Sequence, residues 1–318
     1  MKLVKPKRLA IGDTVGIVAP SHPVKPFLEM YRRGVQNLKR LGFNVKEGRT
    51  VKLEHWGYMA GTDQQRARDI NEMFADDEVK AIICAIGGST AIRTLRHLDF
   101  DLVRKEPKVF SGISDITTYH VAFLAKTGLS GLHQSDAIFG FGQDDKSPAW
   151  KYETDLFLKA TTKPEPVGEL PAFTRWDVWR KGKGQGRLFG GNLPTLQSLM
   201  GTQYFPRIDE DTVFFWETMT RPVEVLDQML VQAREAGLFD RVVGMLVGKI
   251  RGEEGGAVRD MTAEMKKVVL DVVGEYDFPI VAGVDFGHYT PNLPLPMWLK
   301  AGLDTDGPRL WLGEPFVE

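Results

Sequence analysis

The sequence predicts an α/β protein in two parts, an open parallel sheet followed by a second α/β unit with mixed strands. Short apolar runs of strand length alternate with amphipathic stretches of helical spacing up to about residue 135. Strands that alternate with helices are typical of a parallel sheet with right-handed crossovers. The length of 318 residues leaves room for a second unit of similar size.

The elements of the first part follow from local signals. Residues 15–20 form a β-rich run that ends in a proline turn, and residues 27–41 place apolar side chains at helical spacing behind Pro26. Gly42 suits the C-cap of this helix, and Thr62 suits the N-cap of the next one. In order, we expect strands at 15–20, 43–45, 81–86 and 109–113, and helices at 27–41, 62–75, 90–98 and 117–126.

Residues 140–187 break this alternation. They hold an Asp-containing turn, one short helix and a Gly-rich basic run at 181–187, which predicts a connector with substrate-facing loops, the last of them mobile. Beyond them we expect helices at 193–200, 222–236 and 261–273, strands at 212–216, 242–247 and 280–284, and a β-rich tail after Leu295. The predicted division is an N-terminal domain at 1–140, the connector at 141–187 and a C-terminal domain at 188–318.

Composition narrows the classes of function. The formal net charge is −1, which argues against a nucleic acid polymer or an anionic membrane as the main partner. The one cysteine, Cys84, cannot build an internal disulfide. No apolar core of a secretory signal follows the basic N-terminus, and no run reaches the roughly 18 apolar residues of a transmembrane helix. We therefore expect a cytoplasmic protein.

The local sequence pattern around Ser114 is the strongest indication of a catalytic residue in the chain. Ser114 follows the strand at 109–113 and precedes a helix, and a serine on such a tight turn is exposed at the carboxyl edge of the sheet. The next amide, that of Asp115, points into the same space and can stabilise an oxyanion. Gly87 and Gly88 follow the neighbouring strand and let backbone amides approach a ligand closely. The plainer alternative is that Ser114 caps its helix and the glycines form an ordinary turn.

A serine nucleophile needs a base, and the chain has six histidines. His288 lies on a loop at a strand end between glycine and proline residues, and His133 at another strand end is its competitor. Glu217, at the end of the apolar strand 212–216, is the candidate acceptor that orients the base, because an unpaired carboxylate there is costly to desolvate. The alternatives to these catalytic roles are that His288 is a solvated loop histidine and that Glu217 reaches solvent at the end of its strand.

Other catalytic systems have less support. The chain has no His-Glu-x-x-His motif and no cysteine pair, so neither a zinc site nor another metal is expected. No Gly-x-x-x-x-Gly-Lys-Ser/Thr loop is present for a nucleotide phosphate, and no cofactor is predicted. Cys84 lies inside an apolar strand, which favours a core position over a nucleophile.

Several segments together resemble the LD-carboxypeptidase and microcin-immunity (MccF-like) serine peptidases. They occur in the family's order over nearly the whole chain, at residues 11–21, 86–88, 98–103, 108–117, 190–202, 214–217 and 286–296. The resemblance implies a flavodoxin-like or Rossmann-like N-terminal domain, a β-rich C-terminal domain with helices, and a cytoplasmic homodimer without a metal. The site residues that it implies are Ser114 as nucleophile, His288 as base, Glu217 as its orienting acceptor, and Asp115 with Gly87 or Gly88 as oxyanion-hole amides.

The family holds two activities, so the implied partner is a small peptide or a peptidyl-nucleotide. One activity removes the terminal D-Ala from murein tetrapeptides, and the other cleaves the amide that joins a peptide or amino acid to a modified nucleotide. Ile86 stands where many murein enzymes carry Arg, and the connector region bears tryptophans, which looks more like the immunity branch. Trp176 or Trp179 would either stack on a nucleobase or be buried at the domain interface. Arg93 and Arg221 are the candidate partners of a substrate carboxylate.

Two other functions are compatible with the residues. Two lobes around a crevice also suit a non-catalytic protein that binds a small ligand, which predicts saturable binding without turnover. An amidotransferase-like enzyme would use Cys84, and burial of that thiol would exclude it.

Overall fold

Two β-sheets, one centred on each half of the chain, organise the fold. The structure is a computed structural model that describes residues 2–254, 257–289 and 291–318. In chain order, the strands and helices are β1 (Thr14–Val18), α1 (Leu28–Arg40), β2 (Asn44–Glu47), α2 (Asp63–Ala75), β3 (Val79–Cys84), α3 (Phe100–Lys105), β4 (Val109–Gly112), α4 (Thr117–Thr127), β5 (Leu132–His133), α5 (Pro148–Thr162), β6 (Gly168–Leu170), β7 (Asp177–Arg180), β8 (Lys183–Asn192), α6 (Leu193–Leu199), β9 (Thr212–Glu217), α7 (Val223–Glu235), β10 (Val242–Gly248), β11 (Arg251–Glu254), β12 (Ala257–Asp260), α8 (Thr262–Val272), β13 (Ile280–Val284), β14 (Leu295–Pro296), β15 (Lys300–Asp304) and β16 (Arg309–Leu312). Short 3-10 helices lie at Lys25–Phe27, Arg49–Lys52, Ala91–His97 and Ser114–Ile116. No helix in these described ranges is long and apolar enough to cross a membrane.

The first sheet has the strand order β14-β5-β4-β3-β1-β2, and β1 to β5 pair in parallel. Because the carboxyl ends of parallel strands open on one edge, the loops after β1, β3, β4 and β5 meet there. The remaining strand, β14, comes from the C-terminal half and pairs antiparallel with β5, so that Leu295 lies opposite His133. Both halves of the chain therefore contribute to this sheet.

The second sheet has the strand order β6-β16-β15-β8-β9-β10-β13-β7. Its centre, β8 to β10 and β13, pairs in parallel, and the other strands join antiparallel at the two sides. The register places Asn192 at the end of β8 opposite Glu217 at the end of β9. Two polar side chains therefore meet at the carboxyl edge of this sheet.

Helix α4 lies between the two halves. It packs against α3 and β5 on one side and against α6 and β8 on the other. Its side chains are buried nearly all round, and Phe123 packs edge-on against Phe74 and Phe110. Burial on nearly all sides is typical of a helix in such a central position. Because α4 begins directly after the turn that carries Ser114, the core of both halves holds that turn.

The predicted fold class is confirmed, and the elements with clear local signals are where the sequence predicts them. The strand expected at 15–20 is β1, and the helix expected at 62–75 is α2, where Thr62 and Gln65 form a reciprocal capping box. Gly42 has the positive φ, +94°, that favours glycine at the end of a helix. The stretch at 90–98 is a 3-10 helix rather than an α-helix.

The mobile loop expected at 181–187 is wrong, because most of it belongs to β8 in the second sheet. A Cβ at Gly184 would lie 1.8 Å from the carbonyl oxygen of Val243, and one at Gly190 would lie 1.7 Å from that of Phe215. These glycines therefore allow neighbouring backbones to approach and do not signal mobility. β8 also runs across the predicted boundary at 187, and the domain limits stay a prediction.

Candidate active site

Ser114 lies on a strained turn at the carboxyl edge of the first sheet. β4 ends at Gly112, and Ser114 opens a single 3-10 turn that leads into α4. Its φ is +64°, and in the described chain Trp56 and Trp298 are the only other non-glycine residues with a positive φ. Such a conformation costs about 1–3 kcal/mol and tends to occur at functional sites.

The alternative in which Ser114 caps a helix does not describe this turn. Ile113 and Ile116 occupy the N-cap positions of the 3-10 turn and of α4, and no side chain closes either cap. The Ser114 side chain instead lines two cavities. It is therefore available to a ligand.

Gly87 and Gly88 approach the serine turn so closely that neither position accommodates a side chain. A Cβ at Gly87 would lie 2.7 Å from Cβ and 3.0 Å from Oγ of Ser114, and 3.2 Å from the amide nitrogen of Asp115. A Cβ at Gly88 would lie 2.3 Å from Oγ of Ser21, and the φ of Gly88, +150°, disfavours other residues. The amides of Gly87, Gly88 and Asp115 have no acceptor among the residues that the structure describes. The choice between the two glycines as oxyanion donor stays a prediction.

The buried Asp115 carboxylate joins the loops around the serine. It accepts a hydrogen bond from the hydroxyl of Ser21 at 2.5 Å and one from the amide of Ala91 at 2.8 Å. Ser21 follows β1 and Ala91 follows the glycine turn after β3, so three strand-end loops converge on this carboxylate. The sequence predicts a role only for the Asp115 amide, and the structure adds a side chain that holds this amide in place.

His288 and Glu217, 71 positions apart in the sequence, form a hydrogen bond of 2.5 Å between Nδ1 and Oε2. Glu217 is fully buried at the end of β9, and its other oxygen accepts a hydrogen bond from Nδ2 of Asn192 at 3.0 Å. A Cβ at Gly287 would lie 2.6 Å from Oε2, so this glycine is required for the loop to pass the carboxylate. Both carboxylate oxygens are held, and no residue that the structure describes pairs with Nε2 of His288, which can therefore act on a ligand.

The two partners shift each other's protonation. Burial lowers the pKa of His288, but the Glu217 carboxylate outweighs this, and the pKa lies above its ordinary value. Burial raises the pKa of Glu217, but His288 outweighs this as well, and the pKa lies below its ordinary value. The glutamate is therefore ionised, and the histidine has the increased proton affinity that suits a general base.

Two further histidines are sealed in the core of the first half. His133, the competitor, is fully buried beside the ring of Phe215, and burial lowers its pKa to about 4. His120 is also fully buried, and burial lowers its pKa to about 3. Neither lines a cavity with Ser114, so His288 is the better placed base of the three.

Ser114 and His288 line two adjoining cavities. The polar cavity, about 170 Å³, is further lined by Ser89, Asn192, Thr195, Ser198, Thr218 and Arg221. The apolar cavity, about 300 Å³, is further lined by His22, Phe27, Ile86, Ile113, Phe139, Met219 and Asp136. A substrate whose scissile bond lies over Ser114 can therefore extend into both cavities, one on each side of that bond.

Only one of the two arginines expected to bind substrate is at this site. Arg221 lines the polar cavity and donates to the carbonyl of Thr220 at 3.1 Å. Arg93 pairs with Asp63 at 2.9 Å, lies over the ring of Trp56 and lines neither cavity. The expectation that Arg93 binds a substrate carboxylate at Ser114 is therefore not supported by its position, because Asp63 already engages its guanidinium.

Trp176 and Trp179 lie away from both cavities. They are 4% and 8% exposed, and Nε1 of Trp176 donates to the buried carboxylate of Asp285 at 2.8 Å. Trp179 lies in β7 at the side of the second sheet. A buried ring offers no free face to a nucleobase, so this arrangement favours the burial alternative over stacking.

The thiol alternative is excluded. Cys84 ends β3, is fully buried, and burial raises the pKa of its thiol well above the ordinary value. A buried thiol with a raised pKa is a poor nucleophile. Within the described ranges, no group of three or more His, Cys, Asp and Glu side chains could hold a metal ion.

Some polar residues at the site are not singled out by the sequence pattern. Asn192 ends a strand directly after two glycines, a signal similar to that of Ser114 after Gly112. Ser21, which holds Asp115, follows the proline that ends the first apolar run. Asp136 has no comparable local pattern, because its importance depends on burial.

Glu153 of α5 braces the loop that carries His288. It accepts hydrogen bonds from the hydroxyl of Ser135 and from the amide of Asn292. The Asn292 side chain in turn accepts a hydrogen bond from the amide of Gly287 at 2.6 Å. Glu153 is 1% exposed, and burial raises its pKa to about 7.

Glu153→Gln should flatten the pH dependence of stability. The pKa of Glu153 rises from 4.5 to about 7 on folding, so the native state binds more protons between these values and the protein loses stability as the pH rises through them, on the order of 2–3 kcal/mol. Glutamine does not titrate and imitates the protonated side chain. Urea denaturation at about pH 5 and pH 8 measures the difference, which should shrink in Glu153→Gln and persist in the exposed control Glu165→Gln. The same pH dependence in both variants would contradict this prediction.

Comparisons with known proteins cover nearly the whole chain. The family model of the LD-carboxypeptidase N-terminal domain matches residues 15–134, and that of the LD-carboxypeptidase C-terminal domain matches residues 185–303. A probable murein peptide carboxypeptidase of Bacillus subtilis (strain 168) is 35% identical over 304 residues, which cover 95% of this chain and 92% of the relative. The microcin C7 self-immunity protein MccF of Escherichia coli is 26% identical, over 97% of this chain and 95% of the relative.

A solved structure supports the same relationship. MccF in complex with aspartyl sulfamoyl adenosine superposes with a TM-score of 0.88 at 25% identity, and the match covers 99% of this chain and 100% of that one. The two family models together span strands of both sheets. The chain therefore belongs to the LD-carboxypeptidase family, peptidase family S66, and is a serine peptidase.

Proposed function

We propose that this protein is a serine carboxypeptidase in which Ser114, His288 and Glu217 form the catalytic triad. The observation that carries this proposal is the 2.5 Å hydrogen bond between His288 and the buried Glu217 carboxylate, beside a cavity that Ser114 also lines. The strained φ of Ser114 adds support, because strain persists where the surrounding structure and function require it. Nucleophile, base and orienting acceptor are the three roles that serine hydrolysis needs.

The reaction is acyl transfer through an ester of Ser114. His288 Nε2 takes the hydroxyl proton as Oγ attacks the scissile carbonyl carbon, which forms a tetrahedral oxyanion. The C–N bond then breaks, and His288 gives the proton to the leaving amine. In the second half-reaction, which hydrolyses the ester, His288 takes a proton from water as the water oxygen attacks the ester carbonyl carbon. The proton then returns to Oγ as the acid product leaves.

Backbone amides stabilise the oxyanion in this proposal. Asp115 supplies one donor and Gly87 or Gly88 supplies the other, since these amides have no acceptor among the described residues. Loss of one such donor typically lowers the rate about 10²–10³-fold. The hydrogen bonds from Ser21 and Ala91 to the Asp115 side chain keep the first donor in position.

Arg221 holds the free carboxylate of the residue that leaves. It lines the polar cavity together with Ser114 and His288. A guanidinium group matches the geometry of a carboxylate with two parallel hydrogen bonds. The polar cavity is therefore assigned to the leaving amino acid.

Arg221→Met should remove the preference for a free carboxyl terminus. A charge-assisted hydrogen bond typically contributes about 1.5–3 kcal/mol, so kcat/KM for the free acid should fall about 10- to 100-fold, whereas kcat/KM for the C-terminal amide should change little. Release of the terminal residue from both peptides, followed by mass spectrometry, gives the two values. Arg93→Met is the matched control, because Arg93 pairs with Asp63 outside both cavities. An equal loss with both peptides would contradict the role of Arg221.

A murein tetrapeptide is the substrate we propose first. The relative with 35% identity bears the name of a probable murein peptide carboxypeptidase. The indoles of Trp176 and Trp179 are buried, so the hypothesis of a nucleotide substrate lacks the stacking partner that it predicts. The amide of an aminoacyl nucleotide is the second candidate, supported by the TM-score of 0.88 with MccF bound to aspartyl sulfamoyl adenosine.

Parallel incubations separate the two candidates. Purified protein is given murein tetrapeptide or an aminoacyl sulfamoyl adenosine, with Ser114→Ala as the control, and products are identified by mass spectrometry. Release of D-Ala by the wild type alone supports the murein substrate, and cleavage of the adenosine conjugate alone supports the second. Saturable binding of either compound without turnover would support the non-catalytic binding protein, in which Glu217 has no role.

We also propose that the protein acts as a cytoplasmic homodimer in the recycling of cell-wall peptides, as the family resemblance implies. Multi-angle light scattering tests the assembly, with an expected mass twice the 35.7 kDa of one chain. Cell fractionation tests the location.

A further inference from the structure

A buried arginine of α2 lies behind the loops that form the proposed oxyanion hole. The side chain of Arg66 is fully buried, although an ionised guanidinium group is costly to remove from water. Its Nη2 pairs with the carboxylate of Asp63 at 2.9 Å, and its Nε has no hydrogen-bond partner among the described residues. Replacement of a buried ion pair by apolar side chains often leaves stability unchanged, so stability alone does not explain an arginine at this position.

The other terminal nitrogen of Arg66, Nη1, holds two loops at the carboxyl edge of the first sheet. It donates to the backbone carbonyl of Pro20, in the loop after β1, at 2.8 Å. In the loop after β3, it donates to the hydroxyl of Thr90 at 2.9 Å and to the carbonyl of the same residue at 3.3 Å. Carbonyl groups of buried irregular loops need such partners, and a guanidinium group presents its donors in one rigid plane.

Both residues that the guanidinium group holds come directly before a donor to the Asp115 carboxylate. Pro20 precedes Ser21, whose hydroxyl donates to this carboxylate at 2.5 Å. Thr90 precedes Ala91, whose amide donates to it at 2.8 Å. The guanidinium group therefore fixes the two backbone segments from which the carboxylate of the serine turn is held.

The same loops carry the glycine amides of the proposed oxyanion hole. Gly87 and Gly88 lie between β3 and Thr90. The carbonyl of Gly87 accepts a hydrogen bond at 2.9 Å from the amide of His22, which belongs to the loop after β1. Donors of an oxyanion hole stabilise the developing charge only when they lie within hydrogen-bond distance of it. A shift of either loop would therefore move a donor away from the reacting carbonyl at Ser114.

We propose that Arg66 is a positioning residue of the oxyanion hole, which affects the rate through the loops after β1 and β3. It lines neither cavity at Ser114, so it does not touch the substrate. This inference rests on the proposed carboxypeptidase function and adds a residue to its machinery. Because the oxyanion exists only in the tetrahedral state, displacement of its donors should lower kcat and leave substrate binding nearly unchanged. A purely structural arginine would change the folded fraction and leave kcat of the folded enzyme unaltered.

The test measures the substrate and the tetrahedral state separately. Release of D-Ala from murein tetrapeptide gives kcat and KM for the wild type, Arg66→Met and Arg66→Lys. The corresponding tripeptide boronic acid forms a tetrahedral adduct with Ser114 and places a boron-bound oxygen in the hole, and calorimetry gives its Kd for each protein. Arg68→Met, on the exposed side of the same helix, is the matched control. Urea denaturation gives the folded fraction of every variant.

We expect Arg66→Met to lower kcat about 10- to 100-fold and to weaken binding of the boronic acid by a similar factor, with KM within about 3-fold of the wild-type value. Lysine retains the charge without the plane of donors, so Arg66→Lys should recover only part of the loss. Arg68→Met should behave as the wild type does. An unchanged kcat in Arg66→Met, a loss that the folded fraction accounts for, or an effect on KM alone would overturn the inference.

A second pair of variants applies if Arg66→Met does not fold. Thr90→Val removes the hydroxyl that accepts the hydrogen bond from Nη1, and Thr90→Ser keeps it. We expect kcat to be about 10-fold lower in Thr90→Val than in Thr90→Ser. Equal kcat values in these two variants would then overturn the inference.

The boronic acid also separates this inference from the proposed function. If the wild type binds it through Ser114 but releases no D-Ala, the proposed carboxypeptidase function fails, and the Kd of Arg66→Met still decides the role of Arg66. If the wild type releases D-Ala and Arg66→Met does so at the same rate, the inference fails and the function stands. A wild type that is inactive and binds the boronic acid no more tightly than Ser114→Ala does would overturn both.

Discussion

Replacement of Ser114 by alanine should lower kcat about 10⁴–10⁶-fold, because the loss of the nucleophile leaves only binding and oxyanion stabilisation to act on the substrate. Substrate binding should persist, since the variant retains Arg221 and both cavities. Rapid-mixing measurements of D-Ala release give kcat, and calorimetry gives Kd. Turnover at the wild-type rate in Ser114→Ala would overturn the proposed triad.

Ser114→Gly separates catalysis from backbone strain at the same position. Alanine and glycine both remove the hydroxyl, but glycine adopts the φ of +64° without a steric penalty, whereas alanine does not. We expect the glycine variant to be inactive and yet about 1 kcal/mol more stable than the alanine variant in urea denaturation. Equal stability of the two variants would show that the turn is unstrained and would remove one support for a functional role.

The sequence predicts well those parts of the fold whose interactions join residues only a few positions apart in the chain. The capping box of Thr62 and Gln65 spans three residues, and Gly42 ends its helix through its own φ. The turn of Ser114 is equally local, since an apolar strand, a glycine and a helix start surround it in the sequence. Residue propensity and spacing suffice to predict such features because their conformation does not depend on a distant part of the chain.

Features that depend on distant partners were not predictable in this way. The glycines of β8 are typical of a loop when only the sequence is considered, but the backbones of neighbouring strands require them. The placement of Trp176 depends on the carboxylate of Asp285, which lies 109 positions away. β14 completes a sheet built from the other half of the chain. Such contacts exist only after the sheets have formed.

The same distinction between local signals and distant contacts applies to the residues of the candidate site. Residue types and strand ends identify Ser114, His288 and Glu217 as candidates, but their combination into a triad rests on the family resemblance, because no spacing rule links residues of separate sheets. Asp136 and Glu153 have no recognisable pattern, although burial raises the pKa of each. Their roles depend on desolvation, which becomes visible only when the side chains around them are placed.

Glu217→Gln should lower kcat about 10³–10⁴-fold while the protein remains folded. The glutamine oxygen can still accept the hydrogen bond from Asn192, which leaves its amide group facing Nδ1 of His288. That contact favours the tautomer with the proton on Nε2, and this tautomer cannot take a proton from Ser114. Steady-state kinetics with the proposed substrate gives kcat, and circular dichroism confirms folding. Glu210→Gln, the same chemical change on the exposed approach to β9, should leave kcat unaltered.

The pH profile of the same variant distinguishes loss of the charge from simple misplacement of the histidine. In the wild type the Glu217 carboxylate holds the pKa of His288 above its ordinary value, so kcat/KM should fall as the pH drops below that raised pKa and His288 becomes protonated. Without the carboxylate, burial dominates and lowers the pKa of His288, so the acid limb of the profile should move to lower pH even though the whole profile is depressed. A depressed profile whose acid limb stays in place would mean that Glu217 only positions the ring. An unchanged profile would remove Glu217 from the proposed triad.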